Sequence, residues 1–265
     1  MRLPDDDAFF RVPRTPFHTS EGTVDLPILY YDVTNVVGIF RSPLSATTQL
    51  LEGTGLEPGF TLGGDALVAL SFFEYRRTTV GPYNEVGTAT FVKRRGDRAK
   101  LLPYVDVYGD PDQRVVGAHI FDLPVTTKAA WAAGRELWGY PKFVTPISFR
   151  LGRSAFESTV SDPDGHGTIT TLAGELGPSV PAPPMSLMLY SHLDGRMLRT
   201  NVNVRGRVHA HDPGSCRLAI GESRHPMAER LRKLRLDGAK PLVVLSTTEF
   251  QSRLHAGVLV ENPRK

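Results

Sequence analysis

Short runs of β-branched and aromatic residues, interrupted by glycines and prolines, dominate the hydrophobic pattern of the chain. Val, Ile, Thr, Phe and Tyr favour the half-buried surface of a sheet, and the glycines and prolines between the runs indicate turns. The pattern predicts strands at residues 68–75, 86–93, 115–123, 143–151, 155–160, 168–173, 197–210 and 242–245. Residues 161–167, rich in aspartate and glycine, predict a hairpin turn between two of these strands.

Three stretches depart from the strand pattern and predict helices. The first, residues 42–52, opens with a serine in the cap position and a proline at the first helical position. The second follows Thr126 or Thr127, either of which is a suitable cap, and ends before Gly139. The third covers residues 226–235.

The arrangement of these elements predicts one domain. The proline-rich segment 177–184 predicts an extended crossing rather than a domain boundary, because strand-like sequence resumes on both sides. We therefore predict a single domain over residues 1–265, mainly β and of the α+β class. Its expected architecture is an antiparallel barrel, closed or nearly closed, with a few peripheral helices.

Composition restricts partners and location. The net charge of +3 comes from 31 basic and 28 acidic residues, too even a balance for the dense basic face that a phosphate backbone requires. We predict no nucleic-acid partner. No apolar run approaches the ~20 residues needed to cross a bilayer, which predicts no membrane span. A single cysteine, Cys216, excludes an intrachain disulfide, and the N-terminus lacks the apolar stretch of a secretory signal, so we predict a cytoplasmic protein.

Candidate chemistry concentrates where the second predicted helix gives way to a strand. The chain lacks a phosphate-binding loop, a dinucleotide fingerprint, a zinc-protease motif and a nucleophile elbow. Pro141 stops the helix, so that Lys142 starts the next strand at a defined angle. If the aromatic neighbours Trp138, Tyr140 and Phe143 wall a dry pocket, desolvation favours the neutral amine of Lys142. A neutral amine attacks a ketone to give an imine.

A second segment, residues 80–85, joins two predicted strands and contains Tyr83 and Glu85. A carboxylate near an imine lysine shuttles protons, which typically speeds a reaction by roughly 10² to 10⁴. Tyr83 is placed to donate a hydrogen bond to the substrate oxygen. The plainer alternatives are an exposed glutamate in a turn and a solvated surface lysine, since most lysines are charged and exposed.

Both segments resemble those of the acetoacetate decarboxylase family. Its imine-lysine motif is similar to the run Gly134, Arg135, Glu136, Leu137, Tyr140, Pro141 and Lys142. The triplet Tyr83, Asn84 and Glu85 is similar to the segment that carries the family's active-site glutamate. The resemblance implies a β-barrel or cone-shaped sheet around an apolar pocket, usually in a homo-oligomer. It also implies an imine-forming lyase that acts on a small oxo acid or ketone, with no metal and no diffusible cofactor.

Two departures from the family pattern bear on the reaction. The family's decarboxylases carry a second lysine directly after the reactive one, where this chain has Phe143. They also carry an arginine upstream, at a position that aligns with Thr23 or Val24, and no arginine lies between Glu21 and Phe40. The missing cations favour aldolase or dehydratase chemistry over authentic acetoacetate decarboxylation. A true 3-oxo acid decarboxylase and a non-catalytic barrel that binds a small ligand are the alternatives.

Other candidate sites carry weaker signals. His209 and His211 lie two apart on a predicted strand and face the same side, but no third metal ligand is evident, and we interpret them as polar surface. Cys216 receives no role. A solvated helix face is predicted for the basic residues Arg230, Arg232, Lys233 and Arg235.

Overall fold

A computed structural model of the chain describes residues 7–98, 100 and 102–260. The N-terminal segment from which the absence of a secretory signal was inferred lies largely outside the described residues. The strands are β1 (Thr15–Thr19), β2 (Gly22–Leu26), β3 (Ile28–Ser42), β4 (Leu56–Pro58), β5 (Ala66–Thr78), β6 (Tyr83–Arg94), β7 (Gly117–Val125), β8 (Lys142–Val144), β9 (Ile147–Leu151), β10 (Ala155–Ser161), β11 (Thr168–Glu175), β12 (Ser179–Ala182), β13 (Leu187–Leu193), β14 (Arg196–Arg205), β15 (Val208–His211), β16 (Arg217–Ile220), β17 (Val243–Leu254) and β18 (Val258–Leu259). The helices are α1 (Leu44–Leu50), α2 (Pro103–Asp106), α3 (Lys128–Trp138) and α4 (Pro226–Lys233).

Seven of the described strands close into a barrel, in the order β17, β3, β5, β6, β7, β13, β14 and back to β17. Neighbouring strands are antiparallel, except that β7 and β13 run parallel. Closure pairs the backbone groups that an open sheet would leave unpaired at its edges. The five strands β4, β8, β12, β15 and β18 extend this sheet outside the closed circuit. The predicted barrel is confirmed.

A second sheet, in the order β16, β11, β10, β9, packs against the outside of the barrel. Side chains alternate between the two faces of a strand, and on β5 the residues Leu70 and Phe72 point outward into the main hydrophobic core. The ring of Phe72 meets that of Phe156 on β10, with centroids 5.5 Å apart. The main core therefore lies between the barrel and this sheet, and the barrel lumen is a separate space.

The predicted strands are present, with corrections to several boundaries. The run 143–151 divides into β8 and β9, and the run 197–210 divides into β14 and β15 at Gly206. A side chain at Gly206 would lie 2.4 Å from the carbonyl oxygen of Glu249, so the strand breaks at a position that only glycine fits. The run 242–245 is only the start of β17, and the pattern missed β3 and β13.

The predicted helices are present as α1, α3 and α4, at shorter lengths. Ser42, the expected cap of the first helix, instead ends β3, and Pro43 occupies the cap position without a side-chain hydrogen bond. Thr127 caps α3, since its hydroxyl accepts a hydrogen bond from the amide of Ala130 at 3.4 Å. The extended crossing 177–184 contains β12, which pairs with β15. None of the helices in the described ranges is both long and apolar enough to span a membrane.

Candidate active site

The end of α3 determines where Lys142 emerges. Gly139 adopts a left-handed φ of 67°, and the next amide, that of Tyr140, donates to the carbonyl oxygen of Gly134 at 3.0 Å. This is the hydrogen bond of a glycine-terminated helix. A side chain at position 139 would lie 1.9 Å from the carbonyl oxygen of His192, so glycine is required there. The chain then turns at proline, and Lys142 starts β8 opposite Leu123 of β7.

The Gly-Arg-Glu part of the motif holds the lysine in place. A Cβ atom on Gly134 would lie 2.3 Å from Cε and 2.4 Å from Cδ of Lys142, so the lysine stem occupies the space that a side chain would take. Arg135 Nη1 donates to the carbonyl oxygen of Lys142 at 3.2 Å. Glu136 accepts from the amide of Ser20 at 2.9 Å and ties α3 to the β1–β2 hairpin.

Lys142 and Glu85, 57 residues apart in the chain, meet at one end of the barrel lumen. Lys142 Nζ donates to Glu85 Oε2 at 2.6 Å, and the two residues are 6% and 7% exposed. The other carboxylate oxygen, Oε1, accepts from the hydroxyl of Tyr75 at 3.1 Å. Glu85 is therefore neither exposed nor part of a solvated turn, because it lies within β6, where its neighbour on β7 is Val125.

Three buried tyrosines surround this pair. The hydroxyl groups of Tyr30 and Tyr83 lie 3.4 Å apart, and Lys142 Nζ lies 5.6 Å from the centre of the Tyr83 ring. Burial raises the pKa of Tyr30, Tyr75 and Tyr83, and the negative charge of Glu85 raises each pKa further. All three therefore keep their protons at neutral pH and remain hydrogen-bond donors.

The aromatic residues predicted to wall the pocket divide between two sides. Trp138 and Tyr140 line the lumen beside Lys142, and their rings stack with centroids 5.8 Å apart. Phe143 does not line the lumen, so the prediction that it forms part of the pocket is wrong. Because successive residues of a strand point to opposite faces, Phe143 points away from the amine, and its ring lies 4.3 Å from that of His225, beside the main core.

The lumen contains a cavity of about 220 Å³ into which Lys142 and Glu85 project. The described residues that line it are predominantly apolar. Apart from the catalytic candidates Lys142 and Glu85, its titratable side chains are tyrosines. Among these lining residues there is no arginine and no histidine, and in the described ranges no three potential ligands group into a metal site.

Comparison with known proteins identifies the family. The sequence profile of the acetoacetate decarboxylase family (ADC) matches residues 14–218. The chain belongs to the acetoacetate decarboxylase family. Proteins of this family are lyases, and the segments that contain Glu85 and Lys142 both lie inside the matched region. A comparison of the sequence with curated proteins finds no significant match.

Solved structures of acetoacetate decarboxylase-like proteins share the fold. Acetoacetate decarboxylase from Legionella pneumophila is 16% identical, with a TM-score of 0.64 over 97% of this chain and 94% of that chain. The enduracididine biosynthesis enzyme MppR complexed with pyruvate is 16% identical, with a TM-score of 0.61 over 91% of this chain and 93% of that chain. An acetoacetate decarboxylase-like enzyme from Sphingomonas wittichii RW1 is 14% identical, with a TM-score of 0.62 over 91% and 95% of the two chains.

The weaker sequence signals have structural explanations. His211 contacts the hydroxyl of Ser246 at 2.8 Å, and burial raises the pKa of the Cys216 thiol. The basic face of α4 is not wholly solvated as predicted, because Arg230 Nε donates to the buried carboxylate of Asp122 at 2.9 Å. This ion pair fastens α4 to β7.

Proposed function

We propose that this member of the acetoacetate decarboxylase family is an imine-forming carbon–carbon lyase. In this proposal Lys142 condenses with the carbonyl group of a small oxo acid or ketone. The observation that carries the proposal is the 2.6 Å contact between the amine and Glu85, at the buried end of an apolar cavity. Two charges away from water are costly. Transfer of the ammonium proton to Glu85 leaves a neutral amine, the form that attacks a carbonyl carbon.

The proposed reaction uses the same two side chains in sequence. The amine adds to the carbonyl carbon, and the protonated carboxyl of Glu85 gives its proton to the carbinolamine hydroxyl, which leaves as water. The resulting iminium withdraws electrons from the bond between the α and β carbons. Glu85, now a carboxylate, takes the proton of the substrate's β-hydroxyl, the bond breaks, the β fragment leaves as an aldehyde, and an enamine remains on Lys142. In the decarboxylase alternative the fragment that leaves is carbon dioxide. Protonation of the enamine and addition of water then release the product and restore the amine. In this proposal Tyr83, whose ring centre lies 5.6 Å from Lys142 Nζ and whose pKa is raised by burial, donates a hydrogen bond to the substrate oxygen.

Aldolase or dehydratase chemistry fits the cavity better than decarboxylation of acetoacetate. The described lining residues offer no cation besides Lys142 to pair with a substrate carboxylate, and Phe143 points away from the cavity. The structurally similar enzyme MppR has been solved in complex with the condensation product of pyruvate and imidazole 4-carboxaldehyde. Binding of such a condensation product by a protein of this fold supports the same reaction type here. Carbon dioxide release from acetoacetate would instead favour the decarboxylase alternative.

Reductive trapping tests the proposal directly. Incubation with acetone, pyruvate or acetoacetate followed by borohydride is expected to add the mass of one reduced adduct, because borohydride reduces an iminium to a stable amine. Peptide mapping should place the adduct on Lys142. Borohydride without a carbonyl compound is the control. Unmodified Lys142 with every compound would contradict imine chemistry and favour a non-catalytic ligand-binding barrel.

Glu85→Gln is expected to slow imine formation by roughly 10² to 10⁴, the usual contribution of a positioned acid or base. Glutamine keeps the size of the side chain and its contacts with Lys142 and Tyr75, but it cannot take up and return a proton. The measurement is the rate of borohydride-trappable adduct under single-turnover conditions. The matched control is Glu157→Gln on the exposed face of β10. An unchanged rate in the Glu85 variant would remove this residue from the proton-transfer role.

A further inference from the structure

The lumen continues well beyond the amine, along the inner faces of the barrel strands. We call this continuation the apolar channel, and its lining is formed by Val37, Ile39, Ala69, Ala89, Phe91, Ala118, Ile120, Leu187 and Val204. Although these residues lie inside a closed barrel, all of them are half-buried rather than buried. Along this part of the lumen, the interior of the barrel is thus accessible space and not a packed core.

Small side chains keep the channel open. Strand pairing aligns Ile39 with Ala69, Ala69 with Ala89 and Ala89 with Ile120, so two alanines occupy the centre of one wall. One level nearer to Lys142, Ser71 pairs with Gly87. Inward positions of small barrels are usually filled by bulky side chains, but along this stretch of β5 the inward residues are small and the large residues Leu70 and Phe72 point outward. The void is therefore specified by the sequence of β5 and β6.

The channel has a blind end and a mouth. At the blind end Lys142 is enclosed by buried aromatic side chains, among them Tyr83 and Trp138. The opposite end is lined by Pro183 and by Tyr108, which is 53% exposed. Phe91 lies six positions after Glu85 on β6, and at the usual rise of a strand the two positions are roughly 20 Å apart. This length far exceeds what a three- or four-carbon oxo acid occupies.

The charges of the lining residues support the same conclusion about the substrate as the length of the channel. Beyond Lys142 and Glu85, no described residue that lines the channel carries a full charge at neutral pH. A carboxylate next to the reacting carbonyl would lie beside Glu85 without a second cation to pair with it, and an unpaired buried charge is strongly unfavourable. A methylene chain, in contrast, gains by leaving water for such a channel.

We propose that the substrate is a ketone or aldehyde with an extended apolar chain and no carboxylate beside the carbonyl. Its carbonyl group lies at Lys142 and its chain lies along the channel. This inference rests on the proposed function and narrows its substrate class. Each methylene that enters the channel is expected to lower the concentration for half-maximal trapping by roughly two- to fourfold. Methyl ketones provide a series in which only the chain length varies.

The experiment measures borohydride trapping at Lys142 with acetone and with methyl propyl, pentyl, heptyl and nonyl ketones, and compares pyruvate with methyl ethyl ketone. We expect the half-saturating concentration to fall along the series. We also expect pyruvate to require more than ten times the concentration of methyl ethyl ketone, and a tenfold ratio corresponds to about 1.4 kcal/mol of binding free energy. Ala89→Leu, which narrows the channel at its centre, should remove most of the gain for the long ketones, with urea unfolding as the check that the variant folds.

Ala219→Leu, the same change at an exposed position of β16, is the matched control and should leave the series unchanged. Equal trapping of short and long ketones, or long-ketone trapping that is indifferent to Ala89→Leu, would overturn the apolar-chain proposal while leaving imine formation intact. Efficient trapping of pyruvate would overturn the exclusion of carboxylates. Absence of any adduct, with acetone included, would instead contradict the proposed function.

Discussion

Lys142→Met is expected to abolish imine formation and to reduce turnover by at least about 10³-fold, because the variant retains the length of the side chain but has no nucleophile. The measurement is the mass increase after incubation with a methyl ketone and borohydride, followed by a turnover assay with the substrate that traps best. A non-catalytic barrel predicts the opposite pattern, in which ligand affinity is largely unaffected by the substitution. An adduct that forms on another lysine in unchanged yield would contradict the assignment of Lys142 as the imine-forming residue.

The same substitution is also expected to destabilise the protein. It leaves the carboxylate of Glu85 buried without its cationic partner, and breaking a buried pair in this way typically costs about 3 to 5 kcal/mol. The double variant Lys142→Met, Glu85→Gln removes both charges and should recover most of the lost stability in urea unfolding. It therefore separates loss of chemistry from loss of fold. Recovery of stability without recovery of imine formation is the expected combination.

The position of Lys142 could be predicted from sequence because its causes are local. A helix cap, a left-handed glycine and a proline act within a few residues, and Thr127, Gly139 and Pro141 are readable as such. The approach of Glu85 has a different origin. It depends on β6, β7 and β8 lying side by side in one sheet, and sequence indicated it only through the resemblance of two short segments to a known family.

Tyr30 and Tyr75 were missed as site residues because their approach to Glu85 depends on barrel closure. Tyr75 lies within the predicted strand 68–75, but which face of that strand points into the lumen is decided by strand pairing across the whole sheet. Tyr30 lies on β3, where irregular pairing around Asp32 interrupts the period of two. Phe143 was assigned to the pocket by proximity in sequence, although the residue after an inward-facing one points outward.

The sequence of β5 contains a pattern that indicates the lumen. Its outward positions are large, as at Leu70 and Phe72, while the inward positions Ala69 and Ser71 are small. Alternation of large and small residues over this part of the strand indicates that one face packs and the other borders a space; the inward residues become large only at Phe73 and Tyr75, nearer to Glu85. The homo-oligomeric state and the cytoplasmic location stay predictions.

Gly134→Ala is expected to reduce the rate of imine formation by about 10²-fold, the usual penalty for displacing a reacting group by about 1 Å. The new methyl group would lie 2.3 Å from Cε of Lys142, and the backbone of α3 is less able to move than the lysine side chain. The lysine must therefore shift into the cavity and away from Glu85. Single-turnover trapping with a methyl ketone measures the loss.

The variant should still fold, which makes it diagnostic. Alanine inside a helix is favoured over glycine by up to about 1 kcal/mol, and the displaced lysine has the cavity to move into, so α3 should not unfold. Gly152→Ala is the matched control, since its added methyl group would make only an ordinary contact, 3.6 Å from the carbonyl oxygen of Ala155. A Gly134 variant that traps ketones at the normal rate would show that the lysine stem need not lie on this glycine. A variant that folds but forms the imine slowly would mean that the glycine of the motif positions Lys142 at the expense of helix stability.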